Sequence, residues 1–291
     1  MTPYTNSSLI LTADIGGTHI TTALCDTHKN SLVPGSISRV NISSKDTAEN
    51  IFSGWNTAFR QSLKKAPSGV IGLGIAMPGP FDYEKGISYI TGLDKFEAIY
   101  GVDIRTNLAD SLKMKPETIL FRNDAEALIA GEVWAGLGKH YTNVIGITLG
   151  TGFGSAHHID GSTKDVNWGS SPFKESIADD YFSTRWFTRR YFTLTGNKIN
   201  GVKDLSTLAA NEDQAAARVF NEFSTNLNEF LTPHLSALKP QALVICGNIA
   251  LAASLFLPDL KKRMDHISLE LAVMGEHAPL LGVASLFDLS Q

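Results

Sequence analysis

The sequence predicts an α/β protein built from two copies of one domain. Three observations lead there. A strand, a glycine turn and a second strand at 9–26 (LILTADIGGTHITTALCD) return at 143–160 (NVIGITLGTGFGSAHHID). Short β-branched runs alternate with segments whose apolar residues recur at helical spacing. The 291 residues, 43% of them apolar, suit two domains that each bury a core. Laid over each other without gaps, Thr12–Asp26 meets Gly146–Asp160, which puts Gly16 on Gly150, Asp26 on Asp160, Asp14 on Thr148 and Thr18 on Gly152. A repeat at this distance reads as a duplicated domain. Chance likeness of two glycine-containing hairpins is the alternative.

The elements follow in order. Residues 9–14 and the run ITTALCD form a hairpin, and SISRVNI (36–42) a third strand. Ala48, Ile51, Phe52, Trp55, Phe59 and Leu63 mark an amphipathic helix over 46–64. GVIGLGIAM (69–77) is a buried strand stopped by Pro78-Gly79-Pro80. A helix over 103–115, a strand over 118–122 and a helix over 123–137 complete the first half. After the second hairpin, 161–175 is irregular, and 176–192 is an aromatic helix. A long helix follows at 212–236, then a strand at 241–247, a helix from Ala250 and a closing apolar helix at 279–289.

Composition excludes several classes. Charged residues make up 19% and the net charge is −4, so no basic field gathers nucleic acid. The two cysteines, Cys25 and Cys246, lie in apolar strand runs and read as buried free thiols. Two cysteines cannot build a Cys₄ or Cys₃His site, so no zinc is expected. The first residues lack the basic region of a secretory leader, and no apolar run has membrane-spanning length. The chain reads as a soluble cytoplasmic protein without a membrane partner.

Three segments can carry chemistry. In Asp14-Ile15-Gly16-Gly17-Thr18 the adjacent glycines bring backbone N–H groups close to a ligand, and a phosphate fits such a turn. Asp14, at the strand end, can hold magnesium directly or through water. A plain tight turn with Asp14 bonding its own backbone is the alternative. The second segment, Leu149-Gly150-Thr151-Gly152-Phe153-Gly154, leads into a strand rather than a helix, so it is not the dinucleotide fingerprint. Two such turns related by a repeat favour a pair of phosphate loops over two bland hairpins. The third is Arg122-Asn123-Asp124-Ala125-Glu126. Asn123 caps the helix that follows, with Glu126 as its capping-box partner, and Asp124 is left in the first turn with an uncommitted carboxylate. Taken alone, Asp124 reads first as a first-turn aspartate placed for the helix dipole.

Weaker features are the Pro78-Gly79-Pro80 corner and Gly247, which follows its strand in the same way and whose backbone can meet an adenine or ribose. His157-His158 lack neighbours that would make a metal site. Arg185, Arg189 and Arg190, interleaved with Trp186, Phe187 and Tyr191, read as an amphipathic helix. That helix is a candidate homodimer contact, with a core role as the alternative.

Together ADIGGTHITTAL (13–24), GLGIAMPGP (72–80), RNDAEALIAGE (122–132), ITLGTGFGSA (147–156), VICGN (244–248) and LLGVASLF (280–287) resemble the ROK family, within the actin-like ATPase superfamily. The resemblance implies two RNase-H-like domains, residues 1–122 plus 275–291 and residues 123–274, with ATP and a sugar in an interdomain cleft. It implies a glucokinase-like enzyme that moves the γ-phosphate of ATP to a hydroxyl of a hexose, with Mg²⁺. Asp14, Gly16, Gly17 and Thr18 would form one phosphate segment, and Gly150, Thr151 and Gly152 the other. Gly247 and Asn248 would meet the adenosine, and Pro78, Gly79 and Asn123 the sugar. Asp124 would contact the sugar as well and act as the base.

The departures concern sugar recognition. Family kinases carry a Glu-x-Gly-His segment and a cysteine zinc motif after the second loop, and neither is present. In GSTKDVNWGSSPFKESIADDY (161–181), Ile177-Ala178-Asp179 stands where Cys-Leu-Glu is usual, so Asp179 is the candidate for the final sugar-binding carboxylate. Asp165 and Glu175 are both candidates for the earlier one. Gly92-Leu93, with Asp94 beside it, replaces the usual Asn-Leu. Family repressors carry a helix-turn-helix before the first phosphate segment. Only 13 residues precede Asp14, so no DNA-binding module is expected. A non-catalytic sugar sensor and a kinase for a polyol or amino sugar are the rival readings.

Overall fold

The first glycine turn joins β1 (Leu9–Ile15) to β2 (His19–Asp26), and these strands pair antiparallel with Ile15 opposite Ile20. Residues 8–66 and 69–288 are described by the computed structural model, so the first seven residues, read above for a leader, lie outside it. β3 (Ser31–Leu32) and β4 (Ser38–Asn41) both pair with β2. The Thr47 hydroxyl accepts the Asn50 N–H and starts α1 (Ala48–Leu63), whose stripe Ile51, Phe52, Trp55 and Phe59 is buried. β5 (Gly72–Met77) runs parallel to β1. β6 (Phe81–Asp82) and β7 (Ile87–Ser88) make a small hairpin beyond it. Asp103 caps α2 (Ile104–Leu112), and β8 (Ile119–Asn123), parallel to β5, leads directly into α3 (Asp124–Trp134).

The second glycine turn joins β9 (Asn143–Leu149) to β10 (Phe153–Ile159), with β11 (Ser162–Asp165) on the outer side. β12 (Pro172–Phe173) and β13 (Ser176–Ile177) form a short ribbon. Four helices follow: α4 (Asp179–Phe182), α5 (Thr184–Thr195), α6 (Val202–Ala210) and the long α7 (Gln214–Leu238), which Asp213 caps. β14 (Ala242–Cys246), α8 (Leu257–Arg263), β15 (Ser268–Leu271) and α9 (Ala278–Ala284) close the chain.

Two compact units result, one running to Gly136 and resuming at Glu276, the other spanning Leu137–Gly275. Their main sheets share one strand order. It is β3-β2-β1-β5-β8 in the first unit and β11-β10-β9-β14-β15 in the second. The sequence repeat is therefore a repeat of topology. The second turn is one residue shorter, because Leu149 faces Phe153 whereas Ile15 faces Ile20. The gap-free overlay thus holds for the first strand and slips by one along the second.

In the first unit, β5 explains the layering. Leu73, Ile75 and Met77 point into the core that α1 and α2 supply. Gly72, Gly74 and Ala76 alternate with them on the other face, where small residues let α9 lie close. The sequence division after residue 122 needs correcting here, because α3 belongs to the first unit. It crosses α9 at glycines. A Cβ on Gly131 would lie 1.9 Å from the Ala278 carbonyl oxygen, and one on Gly282 would lie 1.7 Å from that of Ala127. Gly282→Ala must therefore push the two backbones apart. We expect it to destabilise the first unit by about 3 kcal/mol or more, read as a lowered thermal midpoint.

In the second unit, Phe153, Phe182, Phe187, Phe220, Phe223 and Phe230 form the centre of one apolar core. Trp186, Phe187 and Tyr191 are buried there, which gives the aromatic helix its core role. The predicted single helix at 176–192 is broken. Ser183 is extended (φ −107°, ψ 163°) between α4 and α5, because Thr184 turns to bond the second glycine turn. α6 and β15 were not anticipated: α6 is short and shows only two buried positions, and β15 is four residues long. The helix predicted from Ala250 begins as a 3₁₀ segment, Asn248–Leu255. The last helix gives way to a 3₁₀ turn after Ala284, and Leu289, within its predicted range, lies outside the described residues. Both cysteines are buried, and neither is in a disulfide among the described residues. Burial, helped by Asp26, pushes the Cys25 thiol up to about 12. Among the described residues no helix is long and apolar enough to cross a membrane.

Candidate active site

In the first unit the predicted residues gather at the carboxyl ends of β1, β5 and β8, where parallel α/β sheets bind ligands. Register places Asp14 beside Ala76, Ala76 beside Arg122, and Met77 beside Asn123. Pro78 and Gly79 continue β5 past Met77, next to Asn123. Asn123 caps α3 as predicted, its Oδ1 accepting the N–H groups of Ala125 and Glu126 at 2.9 and 3.2 Å. Asp124 is exposed, and Oδ1 accepts the Ala125 N–H at 2.9 Å. Its second oxygen has no partner among the described residues, so it can take a proton or a ligand.

Asp14 is held in an unfavourable state. Burial pushes its carboxyl up to about 6; the negative charges of Asp124 and Glu276 add to this, and Arg39 opposes it. A buried carboxyl whose ionised form is further disfavoured by neighbouring negative charge makes a site that favours a cation. Among the described residues no group of three or more His, Cys, Asp or Glu side chains is placed to hold a metal by itself. Any cation at Asp14 therefore takes most of its ligands from water or substrate.

Two further contacts shape this end of the sheet. Gly17 C=O accepts the Ser44 N–H at 2.9 Å, and Ser44 C=O accepts the Phe96 N–H at 2.7 Å. Asp94 is thereby carried on a loop beside the first glycine turn, where it pairs with Lys45. Tyr83 was not singled out in the sequence. Its hydroxyl donates to Met77 C=O at 3.0 Å and accepts from Asn123 Nδ2 at 3.1 Å, fixing the amide. No spacing rule would have found it, because it sits on the irregular segment between β6 and β7. Arg122, pushed down to about 10 by burial, donates to Gly282 C=O at 2.6 Å and ties β8 to α9.

In the second unit the turn 150–152 and the pair Gly247-Asn248 come together. β14 lies beside β9, with Cys246 opposite Thr148. Gly247 has φ +89°, and a Cβ there would lie 2.4 Å from the Leu149 carbonyl oxygen, so only glycine fits. Gly247, Asn248, Thr151 and Gly152 are exposed. Residues 179–184 clamp the turn from both ends. Asp179 Oδ1 accepts the Phe153 N–H at 2.6 Å, while Oδ2 pairs with Arg185. Thr184 donates its N–H and hydroxyl to Gly150 C=O at 2.8 and 2.9 Å. Both Asp179 oxygens are thus engaged within the protein. Asp165 accepts the Asn167 N–H, and Glu175 accepts the Tyr181 hydroxyl. A hollow of about 740 Å³ in this unit, lined by Tyr181, Trp186 and the Arg190–Glu222–Arg218 ion pairs, contains none of the predicted site residues.

Comparison with known proteins gives a consistent picture. The pattern of the ROK family matches residues 10–172, more than half of the chain. The N-acetyl-D-glucosamine kinase of Histophilus somni is 24% identical over 281 residues, covering 83% of this chain and 89% of that protein. The glucokinase of Thermotoga maritima is 25% identical over 252 residues, covering 74% and 78%. A ROK-family glucokinase from Streptomyces griseus, solved in complex with glucose and AMPPNP, superimposes with a TM-score of 0.73 at 21% identity, covering 96% of this chain and 98% of that one.

Proposed function

The chain belongs to the ROK family, and on that premise we propose that it is an ATP-dependent sugar kinase, transferring the γ-phosphate of ATP to a hydroxyl of a hexose or hexose derivative. The observation that carries this is the Asn123–Asp124 corner. Asn123 caps α3 through Oδ1 and gives one Nδ2 proton to Tyr83, while Asp124 keeps one carboxylate oxygen unpartnered among the described residues. Such a carboxylate accepts the proton of the attacking hydroxyl, and the remaining catalysis is electrostatic. The kinases of H. somni and T. maritima support a hexose as acceptor. The repeated strand order supports reading both units as RNase-H-like.

Asp14, destabilised as a free carboxylate, suits a magnesium ion that arrives with the nucleotide and takes its other ligands from phosphate and water. That ion would offset charge on the phosphates. In the first unit Gly17 and Thr18 offer N–H and hydroxyl donors to a phosphate, while the Gly16 N–H closes the turn onto His19 C=O; in the second unit Thr151 and Gly152 offer donors, while the Gly150 N–H bonds Gly152 C=O. Gly247 and Asn248 receive the adenosine. Pro78, Gly79, Asn123 and Asp94 form the sugar side.

Asp179 is better read as a positioning residue for the second turn than as a sugar ligand, since both its oxygens are engaged. Asp179→Ala should leave the Phe153 N–H without its acceptor, costing about 1–3 kcal/mol, and should raise KM for ATP with KM for sugar unchanged. Asp179→Asn, which keeps an acceptor oxygen, should restore most of the ATP affinity. A rise confined to the sugar KM would return Asp179 to the sugar site.

The reading is tested by a panel of hexoses, N-acetylhexosamines and polyols in an ADP-release assay with Mg²⁺ and ATP. Sugar-dependent ADP release is the expected result. Sugar binding without turnover on any member would make the protein a sensor instead.

A further inference from the structure

The first glycine turn, as assigned above, contains no cation, although its ligand is a polyphosphate. A cation that acts on Asp14 comes from another strand. Arg39 on β4 faces Thr21 on β2, which in turn faces Asp14 on β1. Directly paired residues share a sheet face, so Arg39 and Asp14 project to the same side, about 10 Å apart by strand spacing. The guanidinium lies against His19, the residue that follows the turn.

The bonds around His19 have a fixed direction. Arg39 Nη2 is 3.1 Å from His19 Nε2, and His19 Nδ1 is 3.1 Å from Thr18 Oγ1. A guanidinium only donates, so Nε2 accepts and the ring is neutral with its proton on Nδ1. Nδ1–H then donates to Thr18, which leaves the Thr18 hydroxyl proton free to point at an acceptor. The lowered pKa of His19, from burial and then Arg39, agrees with a neutral ring.

The other partner of Arg39 is weak. Arg39 Nη1 lies 3.3 Å from Glu276 Oε2, and the two side chains are 49% and 87% exposed. A pair so exposed adds little to stability. Arg39 can exchange Glu276 for a phosphate at small cost, and a guanidinium binds phosphate oxygens through two parallel N–H groups.

We propose that Arg39 is the phosphate-binding cation of the first glycine turn, parked on His19 and Glu276 and turning onto the nucleotide's phosphates while His19 orients the Thr18 hydroxyl toward the same anion. This rests on the nucleotide site proposed above.

Calorimetry with Mg²⁺–AMPPNP and with adenosine, on the full chain, tests it. Arg39→Met should weaken AMPPNP about 10- to 100-fold, leave adenosine unchanged and leave the melting temperature unchanged. Arg39→Lys should fall in between. Glu276→Gln, which removes the competing carboxylate, should leave AMPPNP binding unchanged or tighter. Unchanged AMPPNP binding in Arg39→Met would overturn the proposal alone. So would equal losses in Arg39→Met and Glu276→Gln, since a purely structural ion pair gives that result. Failure of the wild-type chain to bind either AMPPNP or adenosine would instead remove the nucleotide site, and this proposal with it.

Discussion

Asp124→Asn is expected to lower kcat about 10²- to 10⁴-fold while AMPPNP affinity stays within a few-fold of wild type. The size follows from the role. A carboxylate that accepts the hydroxyl proton acts in the transition state and contributes little to holding ATP. The fold should tolerate the change, because Asn123 and not Asp124 caps α3 through two N–H groups. Calorimetry together with the ADP-release assay separates the two effects. Retention of more than a tenth of wild-type kcat would remove Asp124 as the base. The same variant has a second readout: Asp124 raises the pKa of Asp14, so its neutralisation should bring the Asp14 carboxyl down from about 6. NMR titration of Asp14 would follow that shift.

Asp14→Asn should abolish magnesium-dependent ATP binding and at the same time stabilise the protein. The carboxyl is raised from 3.8 to about 6, mainly by burial. The folded state therefore holds its proton more tightly than the unfolded state does. The contribution of this group is fully favourable below pH 3.8 and is lost as pH rises through 6. Above that, the ionised form costs at most about 3 kcal/mol. Asparagine removes the cost, so the gain should appear as a higher thermal midpoint at pH 7.5 and vanish near pH 4. Magnesium needs the ionised carboxylate, so in the wild type KM for ATP should climb as pH falls below 6. A variant no more stable than wild type at pH 7.5 would contradict the buried, strained carboxylate. This exchange of stability for function is common at active sites.

Much of the first unit's site was legible in the chain. Asn123 two positions before Ala125 and three before Glu126 announced its cap, and the cap left Asp124 over. The two glycine turns announced themselves by placement at strand ends. Gly247 read as a strand terminator whose backbone can meet an adenine or ribose; its close approach to Leu149 C=O appeared once β14 was seen beside β9. The roles of Tyr83, Arg39 and Arg185 could not be read. Tyr83 and Arg39 act through partners far along the chain or across strands, and Arg185 was legible only as part of an amphipathic helix, not as the partner of Asp179.

The same division holds for the repeat and for Asp179. Local chemistry determined the hairpins: β-branched runs set the strands, and glycines set the turns between them. That the halves share one topology was visible because both hairpins open the same strand order. Three matters were decided only in three dimensions. α3 joins the first unit because glycines at 131 and 282 let it touch α9 across about 150 residues of chain, a contact no local pattern encodes. Asp179 reaches the second turn because Ser183 breaks the helix and Thr184 bonds Gly150. Asp14 becomes a strained carboxylate because burial and Asp124 meet it there. The physical reason is common to all three. Strand, cap and turn preferences are set by neighbours in sequence, whereas burial, charge coupling and close approach depend on which segments the fold brings together.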